Sequence, residues 1–228
     1  MSQPAPTRRQ PPRARPGVSA TARLFRSLPP GAPPDWQRAA SDAITAGARI
    51  DSPLPRQNGK TALMHAAAIG RLDVAVWLLD HGANPNARDR NGRTPLIHAI
   101  RGAYLDSQSL ERATLLTERG ADLDARNHAD WTTLGYVLWK GHTETTHWLL
   151  DHDADPLGAG GSDRENFAAG GRSDVIWLLD GILSEPRHAI ARHRLLAGLT
   201  TAQQFHWFPR TCASARAERT AKTWSRQP

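Results

Sequence analysis

The chain has 228 residues, 39% of them hydrophobic and 22% charged, with a formal net charge of +7. That length and apolar content suffice for one domain core with room for unstructured ends; a single cysteine, Cys212, excludes an internal disulfide, and no apolar run long enough to cross a membrane exists. The charge is unevenly placed: residues 1–30 carry +6 and residues 187–228 carry +7, and subtracting these 13 from +7 leaves residues 31–186 at −6.

In chain order, residues 1–34 come first and hold nine of the 17 prolines, with Arg8, Arg9, Arg13, Arg15, Arg23 and Arg26 and no acid in the first 30. Such a segment is expected to be a disordered basic arm. It reads as a solvated linker, with an organelle transit peptide or an export leader as alternatives; it has no apolar stretch of the kind a secretory signal needs. Residues 35–55 include AITAGARIDSP at 43–53 and are expected to form a degenerate capping unit.

The centre of the chain repeats itself. NGKTALMHAAAIG at 58–70 returns 33 residues later as NGRTPLIHAIRG at 91–102, so that Gly59, Thr61, Leu63, His65 and Ala66 recur as Gly92, Thr94, Leu96, His98 and Ala99. A third copy, DWTTLGYVLWKG at 130–141, sets Asp130 in the Gly position 38 residues after Gly92, with Tyr136 in the His position. The five added residues fall within about 103–109, AYLDSQS, and are expected to lengthen the turn between two helices. A fixed period of this size means stacked units, each burying its neighbour's face.

Each unit reads as a helix pair. A Thr before an apolar run caps a helix, and Pro95 at an early helical position lacks only an amide that has no partner there, so helix starts are set at Thr61, Thr94 and Thr132. The second helix of the first clear unit carries Val74, Trp77 and Leu78 on one face and stops at His81-Gly82. Its pattern returns as ATLLTERGADLDAR at 113–126, THWLLDHDADP at 146–156 and DVIWLLDG at 174–181. The clear units are therefore placed at about 56–88, 89–126 and 127–156, with a second degenerate cap at 157–199, for a domain of 35–199. Within that cap, residues 186–199 are expected to form one more helix. Residues 200–228 mix arginines with Phe205, Trp207, Phe208 and Trp224 and are expected to be a disordered basic tail.

The string Thr94-Pro95-Leu96-Ile97-His98-Ala99, followed by the LL-x-x-GA-x-x-x-A of the second helix, resembles the ankyrin repeat. The resemblance implies an all-α solenoid of helix-turn-helix units with short hairpin loops, and a non-catalytic role in protein–protein interaction. It also implies that partners are met at the hairpin tips and at the exposed end of each first helix. Those positions are Asn58, Lys60 and Ile69 in the first unit, then Arg88, Arg90, Asn91, Arg93 and Arg101, then Arg126, His128, Trp131, Trp139 and Lys140.

None of these residues is acidic, whereas Asp73, Asp80, Glu111, Glu118, Glu144 and Asp151 fall on second helices or their flanks. The expected function is accordingly the binding of an acidic protein segment on a basic concave strip. Two alternatives remain: nucleic-acid association through the basic tails, since interleaved basic and aromatic residues grip single strands, and an exported effector using the N-terminal arm. Residues 58–61 spell the GKT of a phosphate-binding loop, but the glycine required five positions before Gly59 is Leu54, so the match fails. His142, His147 and His152 are five apart, a spacing that scatters side chains around a helix. No catalytic residue, metal site or cofactor is expected, nor any membrane association, and a reducing, cytoplasmic setting is.

Overall fold

The computed structural model of the protein describes residues 36–54, 57–156 and 173–197. The proline-rich arm, residues 157–172 of the second cap and the 200–228 tail lie outside the described residues. Every regular element among the described residues is helical, and no helix there is long and apolar enough to cross a membrane. The chain divides into two compact units, residues 1–49 and 50–228.

The described part of the first unit is α1 (Trp36–Thr45), which buries Trp36, Ala40 and Ala43. It stops at Gly47, where φ is +88° and the Ala48 amide donates to the Ala43 carbonyl. The same closing bond returns in the second unit as Ala83 to Leu78, Ala121 to Leu116 and Ala154 to Leu149. α1 thus ends as the second helix of a repeat does.

The second unit begins with three helix pairs: α2 (Ala62–Ile69) with α3 (Leu72–Asp80), α4 (Pro95–Gly102) with α5 (Asp106–Glu118), and α6 (Thr133–Lys140) with α7 (Thr143–Asp151). Each first helix starts as its sequence requires. The hydroxyls of Thr61, Thr94 and Thr132 accept from the amides of Met64, Ile97 and Gly135, and Pro95 opens α4. Leu63, Leu96 and Leu134, with Leu78, Leu116 and Leu149 from the second helices, are fully buried between neighbours. α8 (Ser173–Leu183), a short 3₁₀ turn (Pro186–His188) and α9 (Ala189–Ala197) follow, so the helix expected over 186–199 forms in two pieces.

The five added residues do not form a longer loop. α5 has 13 residues against nine in α3 and α7, and the link from α4 to α5 is three residues, Ala103 to Leu105, against two elsewhere. Four of the five therefore extend the start of α5 by one helical turn. Gly102 correspondingly is the last residue of α4, not the equivalent of the left-handed caps Gly70 and Gly141; Ala103 takes the cap position in an extended conformation. Glycine is needed at 102 for a different reason, because any Cβ there would run into the Ala68 carbonyl of the preceding unit.

That extra turn holds the third unit in place. The Asp106 carboxylate accepts from the amides of Glu144 and Thr145 at 2.8 and 3.0 Å and from the Thr145 hydroxyl at 2.6 Å, capping α7 from the neighbouring unit. Ser109 meets His142 at 2.7 Å in the interior. Arg112, 7% exposed, reaches the carbonyls of Ala68 and Ala99 at 3.1 Å each and of Ala67 at 3.4 Å. It thereby ties the carbonyl ends of α2 and α4 together.

Candidate functional site

The hairpin tips are stitched into a row by their backbones. Within the second tip, the Asp89 amide donates to the Arg93 carbonyl at 3.0 Å; within the third, Asn127 donates to Trp131 at 3.0 Å. Between tips, the Arg90 amide donates to the Asn58 carbonyl at 3.0 Å and the His128 amide to the Asn91 carbonyl at 2.9 Å. The Arg90 side chain lies over Gly59 and that of His128 over Gly92, both glycines having positive φ.

A side-chain device braces the second and third tips from beneath. In the second unit, Asp89 accepts from the amides of Asn91 and Arg93 at 2.8 and 2.9 Å and meets His98 Nε2 at 3.0 Å. In the third unit, Asn127 accepts from Ala129 and Trp131 at 2.9 Å each and donates to the Tyr136 hydroxyl at 3.0 Å. Tyr136 therefore replaces His98 together with its partner, Asn for Asp, and one geometry is built from an ionisable pair and from a neutral one. The internal His is braced on a side chain that in turn holds the loop backbone, instead of on the backbone itself.

Of the thirteen positions expected to meet a partner, Asn58 and Asn91 give their carbonyls to the stitching, and the other eleven sort into two ends of one face and into engaged and available side chains. At the tip end, Lys60, Arg93 and Trp131 occupy one repeat position in three successive units, with Arg90 and His128 beside them. At the other end of the first helices lie Ile69, Arg101, Trp139 and Lys140, with Arg101 and Trp139 equivalent. The helices between are eight residues each, so the two ends are about 12 Å apart.

Three of the eleven are tied into the fold. Arg88 donates to the Arg126 carbonyl at 2.6 Å, Arg126 forms a fork with Asp130 at 3.0 Å and faces Asp155 at 3.8 Å, and Lys140 donates to the Ala103 carbonyl at 2.6 Å. Lys60, Arg90, Arg93 and Arg101 make no ion pair with a carboxylate among the described residues. Trp139 is 47% exposed and Ile69 39%.

Tyr136 joins the two ends and was not singled out from sequence as a contact residue. Its ring lies 5.0 Å from that of Trp131, and the Arg101 guanidinium sits 5.7 Å over it. The signal for it was an aromatic ring in a position that otherwise carries His. The charge distribution is equally legible in the titration of the face. His98 is held down to about 4, first by burial, with Lys60 and Arg101 adding to the effect and Asp89 opposing it. Lys140 is lowered by burial and then by Arg101 and Arg112, and His65 by burial and then by Lys60. On the other edge, Asp124 is raised by burial and by the neighbouring Asp155 and Asp122.

The histidines weighed as a metal set do not converge. His142 is bonded to Ser109, and the His152 ring stacks on Trp148 at 4.0 Å with Nδ1 on the Trp148 carbonyl at 2.8 Å. His147 instead meets residues of the 3₁₀ turn that lie far along the chain.

Comparison with known proteins agrees with this architecture. Residues 39–127 match the family model described as ankyrin repeats (3 copies). The chain is 39% identical over 115 residues to the neurogenic locus Notch protein of Drosophila melanogaster, half of this chain and 4% of that protein. It is 43% identical over 94 residues to the human neurogenic locus notch homolog protein 1, covering 41% of this chain and 4% of the relative. It is 30% identical over 123 residues to the mouse B-cell lymphoma 3 protein homolog, covering 54% and 26%. The chain thus spans only a small part of these relatives' length. The α6–α7 pair, beyond the matched residues, has the Thr cap and closing bond of the pairs within them and the helix lengths of the α2–α3 pair. The repeated Thr-capped helix pairs, the stitched tips and the matched segment make residues 39–127 a run of ankyrin repeats, and the α6–α7 pair continues the same all-helical architecture.

Proposed function

We propose that the protein is a non-catalytic interaction module that takes an acidic protein segment across its tips and first helices. Ankyrin repeats generally mediate protein–protein interaction, and this reading narrows that role by charge. The observation that carries it is the row formed by Lys60, Arg93 and Trp131, flanked by Arg90, with no carboxylate neutralising these cations among the described residues. Of the two acids beside the row, Asp89 is 5% exposed and spent on His98 and the tip amides, and Asp130 is paired with Arg126 at 3.0 Å. Guanidiniums hold carboxylates in a two-pronged geometry that an ammonium cannot reproduce, and an indole supplies broad apolar contact. The acids of the second helices are paired away from this face: Asp80 with Arg119 at 2.6 Å and Asp73 with Arg71 at 2.8 Å.

The test is a titration of the full chain with peptides rich in Asp and Glu that carry leucine and phenylalanine anchors. Binding is expected to weaken at least tenfold in Arg90→Glu/Arg93→Glu and to be unchanged in Asp80→Ala. Equal binding of a charge-reversed peptide rejects the acidic specificity and leaves the general interaction role.

A further inference from the structure

We infer that His147, Glu185 and His188 form a binding site for a divalent first-row cation of zinc's class, clamping the 3₁₀ turn onto α7. One potential ligand atom from each of the three lies within 4.8 Å of the others. His147 Nδ1 and His188 Nε2 are 3.0 Å apart, and their rings stack at 5.3 Å. Tetrahedral zinc with bonds of about 2.0–2.1 Å to nitrogen holds its ligand atoms roughly 3.3 Å apart, so the two imidazoles are already near the required separation.

The spacing of the residues explains why they converge. Glu185 and His188 are three apart across a 3₁₀ turn, in which side chains at that spacing eclipse one another. His147 and Asp151 are four apart on α7 and share a face. An E-x-x-H turn thus meets an H-x-x-x-D helix face. Both contributing segments are described, and neither motif is visible as a site until the fold sets them together.

Hydrogen-bond arithmetic favours a cation between the rings. The Arg187 guanidinium, which can only donate, lies 2.7 Å from His147 Nδ1, so that nitrogen presents a lone pair. His188 Nδ1 faces Asp151 Oδ1 at 3.5 Å. A carboxylate on that side of the ring favours the tautomer with the proton on Nδ1 and the Nε2 lone pair toward the site, as an outer carboxylate does for a zinc-bound histidine. Two bare nitrogens then converge with a carboxylate, and a cation uses all three at once. His188 is 2% exposed, so its site-facing nitrogen has little recourse to water. Arg187 occupies part of the space the ion needs, but it is about half exposed and held by surface partners, Glu185 at 2.8 Å and Asp151 at 3.7 Å. Swinging it outward forfeits those surface ion pairs, which contribute little, and its contact with His147 Nδ1, which the ion takes over.

The ion's consequence is structural. It ties α7 to the turn that precedes α9, and so fastens the C-terminal end of the described stack. The remaining coordination position is left to water or to a partner's side chain.

The experiment is a titration of the chelator-treated full chain with Zn²⁺ by calorimetry and with Co²⁺ by visible absorption, alongside thermal melting. One saturable equivalent is expected, with tetrahedral Co²⁺ bands and a melting temperature that rises with Zn²⁺ and returns on chelation. His147→Ala and Glu185→Gln, at half-exposed positions where folding is preserved, should each weaken binding at least tenfold. Asp151→Asn should weaken it about tenfold through His188, and Arg187→Ala should tighten it. His81→Ala and His152→Ala, at exposed rings stacked on Trp77 and Trp148, should change nothing. The inference is overturned if the wild-type chain takes no stoichiometric metal, or if His147→Ala and Glu185→Gln bind as it does, or if His152→Ala removes the binding.

Discussion

The Asp89–His98 pair and its neutral counterpart, Asn127–Tyr136, hold consecutive tips in the same conformation with different proton chemistry. Burial keeps His98 neutral down to about 4, whereas a free imidazole titrates near 6.5. The sign follows: between pH 6.5 and 4 the unfolded chain takes up a proton that the folded chain refuses, so stability is lost as pH falls through that window. At pH 5 the loss from this one group is about 2 kcal/mol. His65, His142 and His188 are also lowered, chiefly by burial, and add to the same trend. The double variant Asp89→Asn/His98→Tyr copies the third unit into the second. Its melting temperature is expected to fall less between pH 7.5 and 5 than that of the wild type; an identical decline would place the acid sensitivity elsewhere. From sequence the recurrence of His65 as His98 was legible, but its partner was not, because Asp89 lies nine residues earlier and only the closed tip brings it under the ring.

At the scale of the element, the offset of 38 residues told how many residues were added and not on which side of a helix boundary they fell. Helix α5 absorbed four of them because residues 106–109 extend its pattern backward, with Asp106 in the favoured acidic first turn and free to cap α7 as well. Removing that carboxylate in Asp106→Ala should cost about 1 kcal/mol, the usual worth of a helix cap. Arg112→Ala should cost more, about 2–3 kcal/mol, because it strips charged hydrogen bonds from carbonyls buried at the ends of α2 and α4. Chemical denaturation of the two variants measures both; equal, negligible effects would mean that α5 supports its neighbours by apolar packing alone. The same long reach explains why the contact face was only partly legible. Arg88, Arg126 and Lys140 look as available in sequence as Arg90 and Arg93. The groups that engage Arg88 and Lys140 lie 38 and 37 residues away, in the adjacent unit.

For the molecule as a whole, the period decides the fold, since each leucine of the pattern is buried by the next repeat. Leu78 and Leu96 have no exposed surface, and replacement of either by Ala should lower stability by about 2–5 kcal/mol. An unchanged midpoint in denaturant would contradict the stacking. The same period lays out the binding face, with Trp131 at the tip end and Trp139 at the far end of α6, about 12 Å apart along eight helical residues. A partner that runs down the face must meet both, and anchors this far apart contribute independently. Trp131→Ala and Trp139→Ala should each weaken binding by more than about 1 kcal/mol, with the double variant weaker by their sum to within about 0.5 kcal/mol. Folding stability should change little, because both rings lie at the edge of the core and not within it. If Trp139→Ala binds as the wild type while Trp131→Ala does not, the partner lies along the row of tips and runs across the units. If neither matters and substitutions at Asp80 or Glu118 do, the interface is on the second helices, and the charge asymmetry serves solubility instead of recognition.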